Sequence, residues 1–303
     1  MAHGLMDNEG STVVLSGGTG YIGGWLMQAL LHRGFQVLSV ARSPQPARAG
    51  VVAIDSAMPA DDLVAALVNH QPSAVIHAAG LGGAEVPLDN WRAVIEANIT
   101  VGTLLMETAA RSTDASHRCG FISYGTFWQR SSDSGTTGPN SFYAATKNAA
   151  ADIAAYYGEQ RGVAAVELQL SDVYGPDDPR SRLVQALVEA CRAGEDLSMS
   201  AGEQVVSFVH VDDVVAGTLH VVNGLAAAQP GLQRFSIHGP DIATLRTTVR
   251  NLETTLGVNI PVSWGSRPYR PNEVFEPSFL DLPSGWQPAI SFPDGFKKRL
   301  STS

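Results

Sequence analysis

Tyr143 and Lys147 stand four residues apart in Phe142-Tyr143-Ala144-Ala145-Thr146-Lys147, within the alanine-rich stretch Phe142–Gln160. Alanine favours helix, and on a helix this spacing sets a phenol and an ammonium on one face, about one turn apart. A neighbouring ammonium favours phenolate, so Tyr143 can exchange a proton with a substrate oxygen near neutral pH. Lys147 is also placed to reach a second ligand bound beside the phenol.

A second group of residues points to the co-reactant. Ser16-Gly17-Gly18-Thr19-Gly20-Tyr21-Ile22-Gly23 sits between an apolar run and a helical pattern, with Gly17, Gly20 and Gly23 spaced G-x-x-G-x-x-G. Glycines there permit a tight turn and close approach of backbone to a pyrophosphate, while free N–H groups at the helix start face the phosphates. Which dinucleotide binds depends on the end of the next strand, Val40-Ala41-Arg42-Ser43, where an NAD enzyme usually carries an acid and this chain has none. Arg42 can pair with a 2′-phosphate and stack on adenine, with Ser43 adding a hydrogen bond, or it is a solvated strand-end arginine; the first reading favours NADP(H). Asp55 either meets the adenine edge or is a plain turn residue.

An α/β scaffold must hold these groups. Strands are expected at Ser11–Ser16, Phe35–Val40, Val51–Ile54, Ala74–His77, from Gly120–Ser123 onward, and at Val163–Leu170. Helices are expected at Trp25–His32, Asp61–Asn69, Trp91–Arg111 and Phe142–Gln160. Such alternation predicts a Rossmann-like, doubly wound parallel sheet covered on both faces. After Tyr174 the rhythm loosens: Arg182–Ala193 and Val211–Asn223 read as helices, Arg234–His238 as a strand, and prolines crowd Pro261 to Pro293. The expected division is a dinucleotide-binding domain over 1–174, joined by segments near 204–240, and a smaller C-terminal substrate-binding lobe mainly over 175–303.

The 303 residues suffice for this, and 44% hydrophobic with 16% charged residues describes an ordinary globular chain. A net charge of −9 argues against nucleic-acid binding. No apolar stretch has the length of a membrane span, and the first ten residues lack a signal-peptide pattern, so a cytoplasmic protein is expected. Cys119 and Cys191 form neither a disulfide framework nor a metal-ligand spacing and read as thiols in a reducing compartment. His77 reads as a structural or cofactor-wall residue. His210, Asp212 and Asp213 read as caps of the following helix, and no metal site is expected.

The chain resembles the extended short-chain dehydrogenase/reductase family. The glycine motif, Val75-Ile76-His77-Ala78-Ala79, Asn98, Y-x-x-x-K, Val173-Tyr174-Gly175-Pro176 and Phe208-Val209-His210-Val211-Asp212-Asp213-Val214 carry the resemblance over nearly the whole length. It implies Tyr143 as acid/base, Lys147 as its electrostatic partner, and Gly17, Gly20, Tyr21, Ile22, Gly23, Ala78, Ala79 and Asn98 around the cofactor. It also implies a hydroxyl after the fifth strand that binds the reacting oxygen. Gly125-Thr126-Phe127-Trp128-Gln129 is similar to a G-T-x-W-Q pattern in reductases of nucleotide-linked 4-keto-6-deoxy sugars, such as abequose and paratose synthases. Thr126 is therefore the first candidate and Ser123 the second, with Tyr124 able to offer its own hydroxyl near the substrate.

Within that resemblance, sugar 4,6-dehydratases carry an Asp-Glu pair directly after the catalytic Thr, whereas Phe127 and Trp128 follow here. Reduction of a nucleotide-sugar ketone by NADPH is expected. A sugar-nucleotide epimerase, a reductase of another carbonyl compound and a non-catalytic NADP sensor are the alternatives. Arg180, Arg182, Arg267 and Arg270 are candidates for the diphosphate; many relatives place an arginine just before the Phe-Val-His-Val segment, where this chain has Val206-Ser207. Helices Trp91–Arg111 and Phe142–Gln160 are, by resemblance, the expected surface of a homodimer.

Overall fold

Five consecutive buried residues open the fold as strand β1, Thr12–Ser16, a β-branched run that only a strand covered on both faces can bury. The computed structural model describes residues 10–42, 48–130, 138–180 and 182–301. In chain order β1 is followed by α1 (Tyr21–His32), β2 (Gln36–Ala41), β3 (Val51–Asp55), α2 (Ala60–Val68), β4 (Ala74–His77), α3 (Trp91–Ile95), α4 (Val101–Arg111), β5 (Gly120–Thr126), α5 (Phe142–Arg161) and β6 (Ala164–Leu170). Then come β7 (Asp172–Tyr174), α6 (Leu183–Ala193), β8 (Leu197–Met199), β9 (Val205–His210), α7 (Val211–Gly224), β10 (Gly231–Ile237), β11 (Ile242–Thr244), α8 (Leu245–Leu256), β12 (Val262–Trp264) and α9 (Phe292–Ser301).

Seven strands make the main sheet in the order β10-β6-β5-β4-β1-β2-β3, the expected doubly wound α/β arrangement. β1 pairs in parallel with β2 and with β4, β2 with β3, and β4 with β5. The strand order reverses between β1 and β4, where such sheets bind ligands beyond their carboxyl ends. Two smaller sheets, β11-β9-β7 and β12-β8, account for most of the strands that the loosened rhythm concealed.

Two helices differ from expectation. α1 begins at Tyr21 rather than Trp25, because Gly20 already serves as its N-cap and the glycine-rich first turn is helical despite its poor propensity. The helix expected over Trp91–Arg111 is broken by a π-turn at Glu96–Thr100, which rotates Asn98 to a fully buried position.

The chain divides into two units. The first holds residues 1–124, 146–168 and 218–234, and the second 125–145, 169–217 and 235–303. Leu38, Leu63, Leu67, Leu105, Met106 and Phe121 lie at the centre of the first core. In the second, Tyr174, Phe208, Phe292 and Phe296 pack ring on ring, Phe208 stacking on Phe292 at 4.5 Å. Among the described residues no helix is long and apolar enough to cross a membrane.

Candidate active site

The glycine loop closes between β1 and α1 in the first unit. Gly17 has φ +77°, and a Cβ there would lie 2.4 Å from the Ala79 amide nitrogen. A Cβ on Gly23 would lie 2.0 Å from the Gly17 carbonyl oxygen, so α1 packs backbone to backbone on the loop it opens from. Gly20 N–H donates to Gly17 C=O at 2.9 Å and sets the turn, leaving half-buried Tyr21 and Ile22 in the first helical turn. Ala78 N–H donates to Ser16 C=O at 3.1 Å, joining the ends of β1 and β4.

The ends of the neighbouring strands bring further candidates into register. Ser16, His77 and Ser123 are successive partners across β1, β4 and β5 and so share one face of the sheet. Buried His77 shares a hydrogen bond of 2.7 Å through Nδ1 with Ser16 Oγ. Burial foremost, then the charge of Lys147, pushes its pKa down to about 3, so the ring is neutral. At the ends of β2 and β3, Ala41 is the register partner of Asp55, and exposed Arg42 follows directly. Asp55 Oδ1 accepts the Ala57 N–H at 2.8 Å, a turn-forming bond. Ser43 lies outside the described residues.

Asn98 is the clamp of this unit. Its Oδ1 accepts from Leu81 N–H at 3.0 Å, and its Nδ2 donates to Leu81 C=O and to Thr146 Oγ1, both at 2.9 Å. One side chain thereby ties the segment after β4 to α5. Lys147, buried on α5, carries its Nζ beside Gly80, 3.3 Å from where a Cβ would stand. Desolvation lowers its pKa to about 8 against the opposing pull of Glu167, itself paired with Arg234 at 2.7 Å.

The second unit holds the remaining candidates. Thr126 ends β5, its N–H donating to Gln129 Oε1 at 2.7 Å while its Oγ1 accepts the Trp128 N–H at 3.4 Å, a capping box on the short helical turn Phe127–Gln129. That hydroxyl therefore holds the turn and keeps its own proton to donate elsewhere. Ser141 Oγ accepts the Ala144 N–H at 3.2 Å at the start of α5, which carries half-buried Tyr143 in its first turn. Desolvation raises the phenol's pKa, and the cations opposing that rise are Arg182 first and Arg180 second. Helical spacing pointed to Lys147 as the cation beside the phenol; the cations that bear on it in the structure are Arg182 and Arg180.

Two expectations need correction. Tyr124 does not present its hydroxyl to a substrate: it is buried in the first unit, 2.8 Å from Thr218 Oγ1. Arg180 does not offer an open fork, because its Nε and Nη2 meet Asp178 at 2.6 and 2.7 Å and its Nη2 also donates to Val173 C=O. Arg182 lies more loosely, with Nη1 3.8 Å from Asp172 Oδ1, and exposed Arg270 acts electrostatically on the same carboxyl. Asp172 escaped the sequence reading, though an acid ahead of two closely spaced arginines was a usable signal. Gln129 was equally legible, three residues after a threonine as a capping box requires. Asp213, expected to cap α7, instead has its two oxygens accepting the Ala289 and Ile290 amides at 2.9 and 3.0 Å.

Residues 13–234 match the model of the NAD dependent epimerase/dehydratase family. A CDP-abequose synthase of Yersinia pseudotuberculosis is 28% identical over 275 residues, covering 88% of this chain and 92% of that protein. A dTDP-4-dehydro-6-deoxy-D-allose reductase of a Streptomyces species is 25% identical over 244 residues, 70% of this chain and 73% of that one. Among solved structures, the UDP-glucose 4-epimerase of Thermotoga maritima superposes with a TM-score of 0.77 at 21% identity, over 95% and 97% of the two chains, which is a likeness of fold.

Proposed function

The chain belongs to the NAD dependent epimerase/dehydratase family, and from that premise we propose that it uses NADPH to reduce the C4 ketone of a nucleotide-linked 4-keto-6-deoxy sugar. The observation that carries this reading is the turn after Thr126, where Phe127 and Trp128 follow and give elimination no acid or base. The chemistry left to the site is hydride transfer with proton transfer at one oxygen. The reductase relative, whose name specifies a 4-dehydro-6-deoxy sugar, supports the choice of ketone.

The glycine loop fits a dinucleotide: the space that a Cβ on Gly17 or Gly23 would fill is backbone contact, and the amides opening α1 are suited to a pyrophosphate. Bound there, NADPH supplies the hydride. Gly17, Gly20, Tyr21, Ile22, Gly23, Ala78, Ala79, Asn98 and Lys147 would form its binding surface, with Arg42 toward the 2′-phosphate and Asp55 at the adenine edge. Tyr143 gives its proton to the ketone oxygen, and burial keeps the phenol protonated at neutral pH, as reduction requires. The Thr126 hydroxyl, its oxygen occupied by the Trp128 amide, donates a hydrogen bond to the same developing alkoxide, with Ser123 as the alternative donor. Arg182 and Arg270 meet the diphosphate. In this reading the first unit binds cofactor and the second substrate, and the protein works as a homodimer.

The test is NADPH oxidation with a 4-keto-6-deoxy nucleotide sugar, repeated with NADH and with Tyr143→Phe. Stoichiometric oxidation of NADPH is expected, with a loss of at least ~100-fold in the variant. Binding without turnover would point to a sensor, and turnover without net nicotinamide change to an epimerase; either outcome defeats the reading.

A further inference from the structure

We propose that Phe127, backed by Phe279, is the specificity-determining wall that receives the C6 methyl of the sugar and turns away a C6 hydroxyl. The inference rests on the reading of Thr126 as the hydroxyl that meets the C4 oxygen, and deepens it.

Phe127 is fixed to Thr126 by more than the peptide bond. Thr126 Oγ1 accepts the Trp128 N–H at 3.4 Å, bridging across Phe127, and the Thr126 N–H donates to Gln129 Oε1 at 2.7 Å. The ring belongs to a set of half-buried aromatic groups, all within the second unit. Trp128 meets Phe127 edge-on at 5.9 Å, Phe279 lies tilted to it at 6.2 Å, and His238 lies against Phe279 at 4.9 Å. The segment carrying Phe279 is pinned in turn, since Leu280 N–H donates to Ser236 Oγ at 2.7 Å and Ser236 N–H to Asp281 C=O at 2.9 Å. Half burial leaves part of each ring as open apolar surface, beside a threonine hydroxyl with a proton to donate.

Sugar chemistry says what such a surface selects. In a hexose ring C6 is carried by C5, the direct neighbour of C4. A C4 oxygen bound at Thr126 therefore brings the C6 substituent to the adjoining residue. A methyl there leaves water for ring surface, which is favourable. A hydroxyl gives up its water and needs a new partner. Neither phenylalanine side chain carries a polar atom, and the polar groups of the turn are taken. Phe127 C=O accepts the Arg130 N–H at 3.4 Å, Trp128 C=O accepts the Asn140 N–H at 3.2 Å, and the Thr126 and Trp128 amides are bonded as above. His238 gives its Nδ1–H to Gly239 C=O at 2.8 Å.

The experiment measures kcat/KM for oxidation with saturating NADP of 6-deoxyglucose against glucose and 6-deoxygalactose against galactose. Each sugar is supplied as its CDP and its dTDP form, so that both C4 configurations and two nucleotides are covered. The wild-type chain is expected to prefer the 6-deoxy member of the pair it uses by about tenfold to about a hundredfold. Phe127→Ala should cut that ratio by about tenfold, Phe279→Ala should lower it as well, and Phe127→Leu, which keeps an apolar wall, should retain most of it. A merely structural role would depress both sugars alike and leave the ratio unmoved. An unmoved ratio in Phe127→Ala and Phe279→Ala, or a wild-type chain indifferent to C6, overturns the inference while the proposed function stands. Should Phe127→Ala not fold, Phe279→Ala and Phe127→Leu decide by the same ratio. Failure of the wild-type chain to oxidise any of these sugars would bring down both.

Discussion

His77 is held neutral by burial at the end of β4, and this couples the carboxyl ends of the sheet's strands to pH. Its folded pKa, about 3, lies below its ordinary value of 6.5, so at intermediate pH the unfolded chain binds a proton that the folded chain refuses. The stabilisation is complete above the unfolded value and is lost as pH falls, by about 1.4 kcal/mol per unit until the folded value is reached. Between about pH 7 and about pH 5 the loss from this residue alone should be about 2 kcal/mol. His77→Asn keeps a polar partner for Ser16 and removes the titration. Urea unfolding at the two pH values should show wild type losing more stability than the variant by that difference; equal losses would exclude His77 as the source. Of the two readings of His77, structural or cofactor wall, the buried bond to Ser16 supports the structural one. That bond was not legible in the sequence, because the partners are distant in it and meet only through the pairing of β4 with β1.

At the scale of elements, the glycine loop and α1 show why some of the architecture could be read directly. Turn chemistry is local, so the spacing of Gly17, Gly20 and Gly23 predicted both the loop and the helix that follows, with only the first helical turn misjudged. β7, β8, β11 and β12 span three residues each, too short for period-two alternation to register. The π-turn at Glu96–Thr100 was also silent, since an inserted residue leaves a continuous helical composition. Adjacent glycines in α1 provide a controlled test of the loop. A methyl on Gly23 meets the Gly17 backbone at 2.0 Å, whereas one on Gly24 finds its nearest neighbour, Gly18 C=O, at 3.7 Å. If the loop holds the dinucleotide as proposed, Gly23→Ala should weaken NADPH binding by more than about tenfold, because neither backbone can yield without opening the loop. Gly24→Ala should bind normally and unfold later, by up to about 1 kcal/mol from helix propensity. Fluorescence titration with NADPH and thermal melts of both variants decide this, and equal affinities would refute that role for the loop.

For the whole molecule, the two helices expected at a dimer surface carry apolar groups that the first unit leaves uncovered. Leu88 is 72% exposed, and Trp91 and Ile95 41% each. They follow one another at intervals of three and four residues, so they form one stripe where α3 begins. Tyr156 on α5 is 53% exposed. α5 is braced on α4 by Glu107, which accepts from Tyr157 Oη at 3.0 Å and pairs with Arg111 and Arg161. Tyr156 therefore stands on a braced helix, and a second copy of the chain would bury it. Two chains of net charge −9 repel each other, so a contact between copies would have to be carried by apolar burial, and salt should strengthen it by screening. Sedimentation equilibrium should show a dimer that tightens with ionic strength. Trp91→Glu combined with Tyr156→Glu should yield folded monomers, since neither residue belongs to a buried core and the substitutions give up the indole's bond to Val86 C=O and the edge contact of Tyr156 with Tyr157. A wild-type monomer at all salt concentrations, or a dimer indifferent to the double substitution, would place the association elsewhere or abolish it.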